Sequence, residues 1–379
     1  MRKIYLVIGL IILIGLGSFS FTNQALPVFK TYNDSLRNLY SRPVAQWPRP
    51  TIDAGAIWSE MAVMPKDDTS WFKADKDPVT QLGKVLFFDP RLSGSNQISC
   101  SSCHDPDLSW QDGRVLALGN DHLQGTRNTQ SLLNVHINKE LFWDGRANSF
   151  ETQMVEPLSA HHEMNMDVPT LGEKLGKIKG YETLFEKAYQ SKEIDFDKIS
   201  QALAAFQKII KSRSSRYDQF LGGDYEEFTD DEVAGLHLFR TKARCMNCHS
   251  GAFLTDTSFH NIGLTYYKRK FEDLGRYNVT KKNEDVGRFR TPSLRELNRT
   301  RPWMHNGLFD NLEGVINIYN SGMPQPAKTE EQRTDPMFPK TDRLIKPLNL
   351  TPQEKKQLVA FLNTLTGTPY RMRRPELPK

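Results

Sequence analysis

The stretches CSSCH (residues 100–104) and CMNCH (residues 245–249) contain all four cysteines of this 379-residue chain. A Cys-x-x-Cys segment turns two thiols toward one side, where they add to the vinyl groups of a haem, and the adjacent histidine then ligates the iron. Read this way, Cys100, Cys103, Cys245 and Cys248 anchor two covalent c-type haems, with His104 and His249 as proximal ligands. Structural zinc is the competing reading, because paired Cys-x-x-Cys units also build four-thiolate sites. Zinc ribbons keep their halves much closer than Cys100 and Cys245, however, and need no histidine after each second cysteine. A disulfide framework is the third reading, although the cysteines are grouped rather than scattered.

Working outward, the amino terminus reads "MRKIYLVIGLIILIGLGSFSFTNQ", with Arg2 and Lys3 ahead of an apolar run and Ser18 and Ser20 in a small-x-small cleavage pattern. Residues 1–24 are expected to be a signal peptide or an uncleaved anchor, since Ile4 to Phe21 nearly reaches bilayer length. Either role places the rest of the chain outside the cytoplasm, in the periplasm. Hydrophobic residues at 38% and charged residues at 25% exclude both a disordered chain and a polytopic membrane protein. The net charge of +5 is spread among 45 acids, so nucleic-acid binding is not expected. A mildly basic face does suit an acidic electron carrier.

The expected fold is mainly α, with two cytochrome c-like haem domains and long functional loops. Residues 25–75 lack a sustained period and read as an extended lead-in. In "DFDKISQALAAFQKIIKS", Ile199, Leu203, Phe206 and Ile210 recur at three and four, with Asp195 or Asp197 as cap. Thr229 with Glu232, and Thr351 with Glu354, form capping boxes for two further helices. Gly222 and Gly223 suggest the seam, giving haem domains at 76–222 and 223–345, then a helix and tail at 346–379.

Over residues 80 to 366 the chain resembles the bacterial dihaem cytochrome c peroxidase and MauG family. The stretches that carry the likeness are "LGKVLFFDPRLSGSNQISCSSCHDPDLSW", "GTRNTQSLLN", "LFWDGRANSFETQMVEPLSAHHEMNM", "LHLFRTKARCMNCHSGAFLTDTSFHNIG", "GRFRTPSLRELNRTRPWMHNGLFDNLEGVINIYNSG" and "LTPQEKKQLVAFLNTLTG". The resemblance implies that Glu163 moves protons on peroxide, with Gln153 in the same pocket, and that Trp143 couples the two haems. Taken singly, Glu163 reads better as a solvated loop acid, and Trp143 as a residue of ordinary core packing. His161 and His162 read as surface histidines. Arg127 and Arg146 carry the planar fork that suits buried propionates, or else form surface salt bridges. Asn128, with the backbone of Thr300 and Pro302, matches a calcium site of relatives.

Two departures matter. Some relatives carry a displaceable histidine on the loop after the first motif; here the equivalent position falls near Asn120, and His122 is the remaining candidate. At the second haem, Tyr319 falls where peroxidases place a ligating methionine and MauG a tyrosine, with Met323 as its rival, and His305 is expected close by. The implied function is an exported peroxidase that reduces hydrogen peroxide with electrons from a small cytochrome c or copper protein. A MauG-like enzyme acting on a partner protein is the alternative, and a dihaem electron-transfer cytochrome the distant one. A homodimer is compatible with the sequence.

Overall fold

The structure is a computed structural model that describes residues 32–65, 69–325, 328–369 and 371–379. The leader expected at 1–24 lies outside the described residues. Among those residues no helix is long and apolar enough to cross a membrane. The elements are helical throughout, apart from one antiparallel ladder of Phe259–His260 with Phe289–Arg290.

Two hydrophobic cores organise the chain. In the first, the helix Pro78–Phe88 lies along the helix Phe196–Lys208, burying Leu82, Leu86 and Phe87 against Leu203 and Phe206. Asp77 caps the former by accepting from the Val79 and Thr80 amides, and Asp195 caps the latter through Lys198 N. In the second, the helix Asp230–Arg240 lies along the helix Pro352–Asn363, and both begin with the capping boxes expected from Thr229 and Thr351. Each pair crosses at a glycine. A Cβ on Gly83 would sit 1.8 Å from the Ala202 carbonyl oxygen, and one on Gly235 2.0 Å from that of Gln357. Each glycine-bearing helix leads into a Cys-x-x-Cys-His motif, so one structural unit occurs twice.

The boundaries differ from those suggested by composition. The cores part between Ile210 and Tyr217, ahead of Gly222 and Gly223, because Tyr217, Phe220 and Leu221 pack into the second core. The lead-in is also not merely extended: it contains the helix Tyr32–Tyr40, and Leu36, Tyr40, Trp47 and Met61 belong to the second core. Nine residues are too few to show a sustained helical period, and tertiary contacts hold the segment instead. Chief among them is Arg240, fully buried, which lies over the Trp47 and Tyr40 rings and donates to Pro48 O and to Glu60. The tail then returns to the first core, where Met372 packs, Arg374 pairs with Asp105 at 3.0 Å and Arg91 donates to Pro378 O.

Substituting Gly83→Ala is expected to cost about 1–3 kcal/mol, because backbone at a tight helix crossing cannot yield to an added methyl. Gly176→Ala, where a Cβ meets nothing within 4 Å, is expected to be neutral or to gain up to about 1 kcal/mol. Urea unfolding of both variants checks the contrast.

Candidate functional site

Both motifs fold as a single tight turn. The His104 amide donates to Cys100 O at 2.9 Å and the His249 amide to Cys245 O at 2.8 Å, which carries each histidine back over its cysteine pair. The ring of His104 then donates from Nδ1 to Trp110 O, and that of His249 from Nδ1 to Leu254 O, both at 3.1 Å. A carbonyl only accepts, so the proton is fixed on Nδ1 and Nε2 is left as the ring nitrogen available to a metal. Burial lowers the pKa of both imidazoles, which favours the neutral, ligating form.

Cys100, Cys103 and His104 line a cavity of about 780 Å³, and Cys245, Cys248 and His249 line a second of about 290 Å³. The cysteine pairs therefore do not converge on one four-thiolate centre, and all four thiols are free, so no disulfide joins them. Burial pushes the thiols of Cys100, Cys103 and Cys245 up to about 12, keeping them neutral. Uncharged sulfurs beside an imidazole with a free Nε2, repeated in two cavities, fit two thioether-linked haems. Trp143, Asn128, Arg290 and His305 line both cavities and so form the wall between them. The Trp143 indole donates to Asn128 O at 2.9 Å, and Trp143 O accepts from the Arg290 amide.

Glu163 and Gln153 line the first cavity with His104. Gln153 ends the short helix Phe150–Gln153. Glu163 keeps 41% side-chain exposure, and His162 Nε2 stands 3.6 Å from its Oε1. Burial raises the Glu163 pKa above the usual carboxylate range; Glu156 adds to the rise, while His162 and Arg146 oppose it. The loop after the first motif is seated on the Glu163 backbone, whose carbonyl accepts from Asn120 N at 2.8 Å. His122, on that loop, is exposed and does not line the cavity; Asn120 is buried, and His161 is exposed.

At the second cavity Tyr319 is part of the lining, whereas Met323 is buried elsewhere with a left-handed φ of 62°. Burial is the main cause that raises the Tyr319 pKa. Asn128, Thr300 and Pro302, the residues of the calcium expectation, are all among those that line this cavity. Asn128 Nδ2 is spent on Arg114 O and Val115 O, leaving its carbonyl oxygen as the side-chain atom suited to a hard cation.

Of the two readings open for Arg127 and Arg146, both arginines make salt bridges. Arg127 pairs with Asp144 at 2.7 Å and with Asp273 at 2.6 Å, and Arg146 pairs with Asp144 and Glu156 while lying over the Phe142 ring. Both are already neutralised by side-chain carboxylates. Arg290 is the more open guanidinium: it is 6% exposed and lines both cavities, and among the described residues it pairs with no carboxylate. Its Nη1 donates to Asn138 Oδ1, and burial pulls its pKa down to about 10. Two buried polar atoms, His305 Nε2 and Asn306 Nδ2, have no hydrogen-bond partner among the described residues, and both residues line the first cavity. Such a set suits a bulky group that carries its own carboxylates. No sequence motif singled out Arg290 or Asn306.

The di-haem cytochrome c peroxidase family model matches residues 77–226. The chain is 39% identical to the methylamine utilization protein MauG of Methylorubrum extorquens over 300 residues, 78% of this chain and 80% of that one. It is 30% identical to the cytochrome c551 peroxidase of Nitrosomonas europaea over 333 residues, covering 86% and 93%. A solved MauG-like protein associated with microbial copper homeostasis superimposes with a TM-score of 0.68 at 32% identity, covering 84% and 93%. The chain belongs to the di-haem cytochrome c peroxidase and MauG family. As a dihaem c-type cytochrome of this family it is mainly α, and its two haems account for both motifs.

One further residue of this dihaem protein escaped the sequence reading. His260, in the second cavity wall, bonds Asp256 at 2.8 Å and Asp342 at 2.7 Å, with Cys248 adjacent. Burial alone would lower its pKa, but the two carboxylates override this and push it up to about 12. Burial works to raise Asp256 and Asp342, and the contact with His260 holds both below 3.8. Because the folded-state pKa of His260 is raised, its contribution to stability is complete below the unfolded value of 6.5 and is lost as pH rises toward 12. The two aspartates contribute above 3.8 and lose that contribution as pH falls. The stability gap between the native chain and His260→Gln is therefore expected to be wider at pH 6 than at pH 9, as read from urea midpoints.

Proposed function

We propose that this protein is an exported, periplasmic dihaem peroxidase that reduces hydrogen peroxide to water with electrons from a small cytochrome c or copper protein. The observation that carries the reading is the convergence of His104, Glu163 and Gln153 on one cavity whose wall is shared with the second through Trp143. When bound, the haems supply two redox-active irons held through His104 and His249, one electron capacity for each half of a two-electron reduction.

The chain's own residues do the rest. Glu163 takes the proton from one peroxide oxygen and returns it to the other, so that water rather than hydroxide leaves. Burial raises its pKa above the usual carboxylate range, which makes the carboxylate a stronger base toward the peroxide proton. The amide of Gln153 orients the peroxide by a hydrogen bond. Trp143, fixed through its indole N–H, fills the wall between the cavities with an oxidisable ring. Asn128, Thr300 and Pro302 would supply oxygen ligands of the kind a calcium ion takes.

A second reading, a MauG-like enzyme that oxidises a residue of a partner protein, is favoured by one observation: Tyr319, not Met323, lines the second cavity. A tyrosinate is an anionic oxygen donor that stabilises oxidised iron, whereas methionine favours the reduced form.

Glu163→Gln is expected to lower kcat/KM for peroxide by about 10²- to 10⁴-fold, measured by stopped-flow spectroscopy of the holoprotein. An unchanged rate removes the proton-transfer role. Tyr319→Phe is expected to raise the reduction potential of the second centre in a spectroelectrochemical titration, while Met323→Leu leaves it in place. The reverse pattern assigns the ligand to Met323. Persistence of the peroxide-oxidised state for minutes in the presence of a reduced small donor would select the MauG-like reading over the peroxidase.

A further inference from the structure

A third cavity, of about 310 Å³, shares no lining residue with either haem cavity. One extended segment separates it from the second. His260 and Ile262 line the second cavity, whereas Asn261 and Gly263 line the third, as side chains alternate along extended backbone. Asn261 fixes that segment: its Nδ2 donates to Val286 O at 2.9 Å, its Oδ1 accepts from Gly263 N at 2.8 Å, and its carbonyl accepts from Asp342 N at 2.8 Å. Gly263 has a φ of 86°, and a Cβ on it would stand 2.6 Å from Pro324 O, so the wall needs glycine there. The volume is at the low end of the roughly 300–1,000 Å³ of small-molecule sites.

The lining is aromatic and cationic. Tyr266, Tyr267 and Phe338 supply rings, Lys268 and Arg269 supply charge, and among the described residues no acid lines the cavity. The nearby acids are engaged elsewhere. Asp335 accepts from the Tyr267 hydroxyl at 2.9 Å and from Lys268 Nζ at 2.8 Å, Glu272 accepts from the Lys268 amide, and Asp342 bonds His260. Of the two exposed acids on the short helix that supplies Gln332, Glu330 pairs with Arg333, and neither Glu330 nor Glu331 lines the cavity. Asp335 thus neutralises Lys268 and leaves one cation. Arg269 pairs with no carboxylate among the described residues; its guanidinium lies over the Tyr266 ring, 5.5 Å from the centroid. An exposed cation–π contact is weak, and a carboxylate offers the guanidinium fork a stronger, bidentate bond. Thr265, another lining residue, is 2% exposed, and its hydroxyl has no hydrogen-bond partner among the described residues. A buried hydroxyl in that condition favours a ligand with a polar group to meet it.

We propose that the third cavity binds a small aromatic carboxylate with a single negative charge, of the hydroxybenzoate class. The carboxylate meets Arg269, the ring packs among Tyr266, Tyr267 and Phe338, and the ring hydroxyl meets Thr265. The ligand then lies one extended segment away from the second haem cavity, beside the contact between His260 and Asp342. The binding does not depend on the peroxide-using reading above.

The test is isothermal titration calorimetry of the holoprotein with 4-hydroxybenzoate near neutral pH. One-to-one binding is expected, with the neutral isostere 4-hydroxybenzamide and ringless inorganic phosphate each at least tenfold weaker, since a charge-assisted bond and the ring are both required. Arg269→Gln is expected to weaken 4-hydroxybenzoate at least tenfold, while Arg373→Gln, on the exposed tail, leaves it unchanged. Thr265→Val, a change of nearly equal size, is expected to abolish the preference for 4-hydroxybenzoate over benzoate. The Soret band is expected to stay in place through the titration. No measurable binding, equal affinity for the amide or phosphate, or affinity unaffected by Arg269→Gln would overturn the proposal. So would a hydroxyl preference that survives Thr265→Val, or a Soret shift that saturates with binding, which puts the ligand on a haem iron instead.

Discussion

Each motif histidine spends Nδ1 on a backbone carbonyl a few residues further along, Trp110 for His104 and Leu254 for His249. Those two hydrogen bonds set the tautomer, the ring plane and the direction of Nε2 together, so much else in the fold is there to hold the two carbonyls in place. Trp110 is anchored because its ring is locked among Phe87 and Phe206 of the first core. Leu254 is fully buried in the second. Packing of apolar side chains thus becomes control over an imidazole, a second-sphere effect exerted through backbone rather than through a carboxylate.

The charged groups around the first cavity follow a related logic. A buried cation beside two carboxylates is stable, and a buried cation without one is costly unless something else supplies the counter-charge. Arg127 and Arg146 are of the first kind, tied through Asp144 into a lattice that also joins the two halves by way of Asp273. Arg290 is of the second kind. Its place on both cavities, with His305 and Asn306 on the lining of the first, makes that wall chemically suited to acidic groups.

Much of this was legible in the linear chain because it is encoded locally. A five-residue turn specifies both cysteines and the histidine, a four-residue box specifies a helix start, and the period of Ile199, Leu203 and Phe206 specifies a buried face. Glu163, Gln153 and Trp143 were singled out only by likeness to relatives, since an isolated acid, amide or indole has no diagnostic spacing. Ahead of Gly222 and Gly223, which mark a turn, Tyr217 and Phe220 already pack into the second core, because apolar area decides which core a segment joins.

What the amino-acid order settled alone is therefore the chemistry of attachment and the helical class, because those depend on neighbours within a turn or two. Which arginine is left unpaired, whether Tyr319 or Met323 reaches the second cavity, and that His122 stays away from the first were decided in three dimensions. So was the return of the tail from the second core to the first. Each depends on contacts between residues tens to hundreds of positions apart, where the competition among carboxylates, apolar surfaces and cavity walls is resolved only once the two cores have packed.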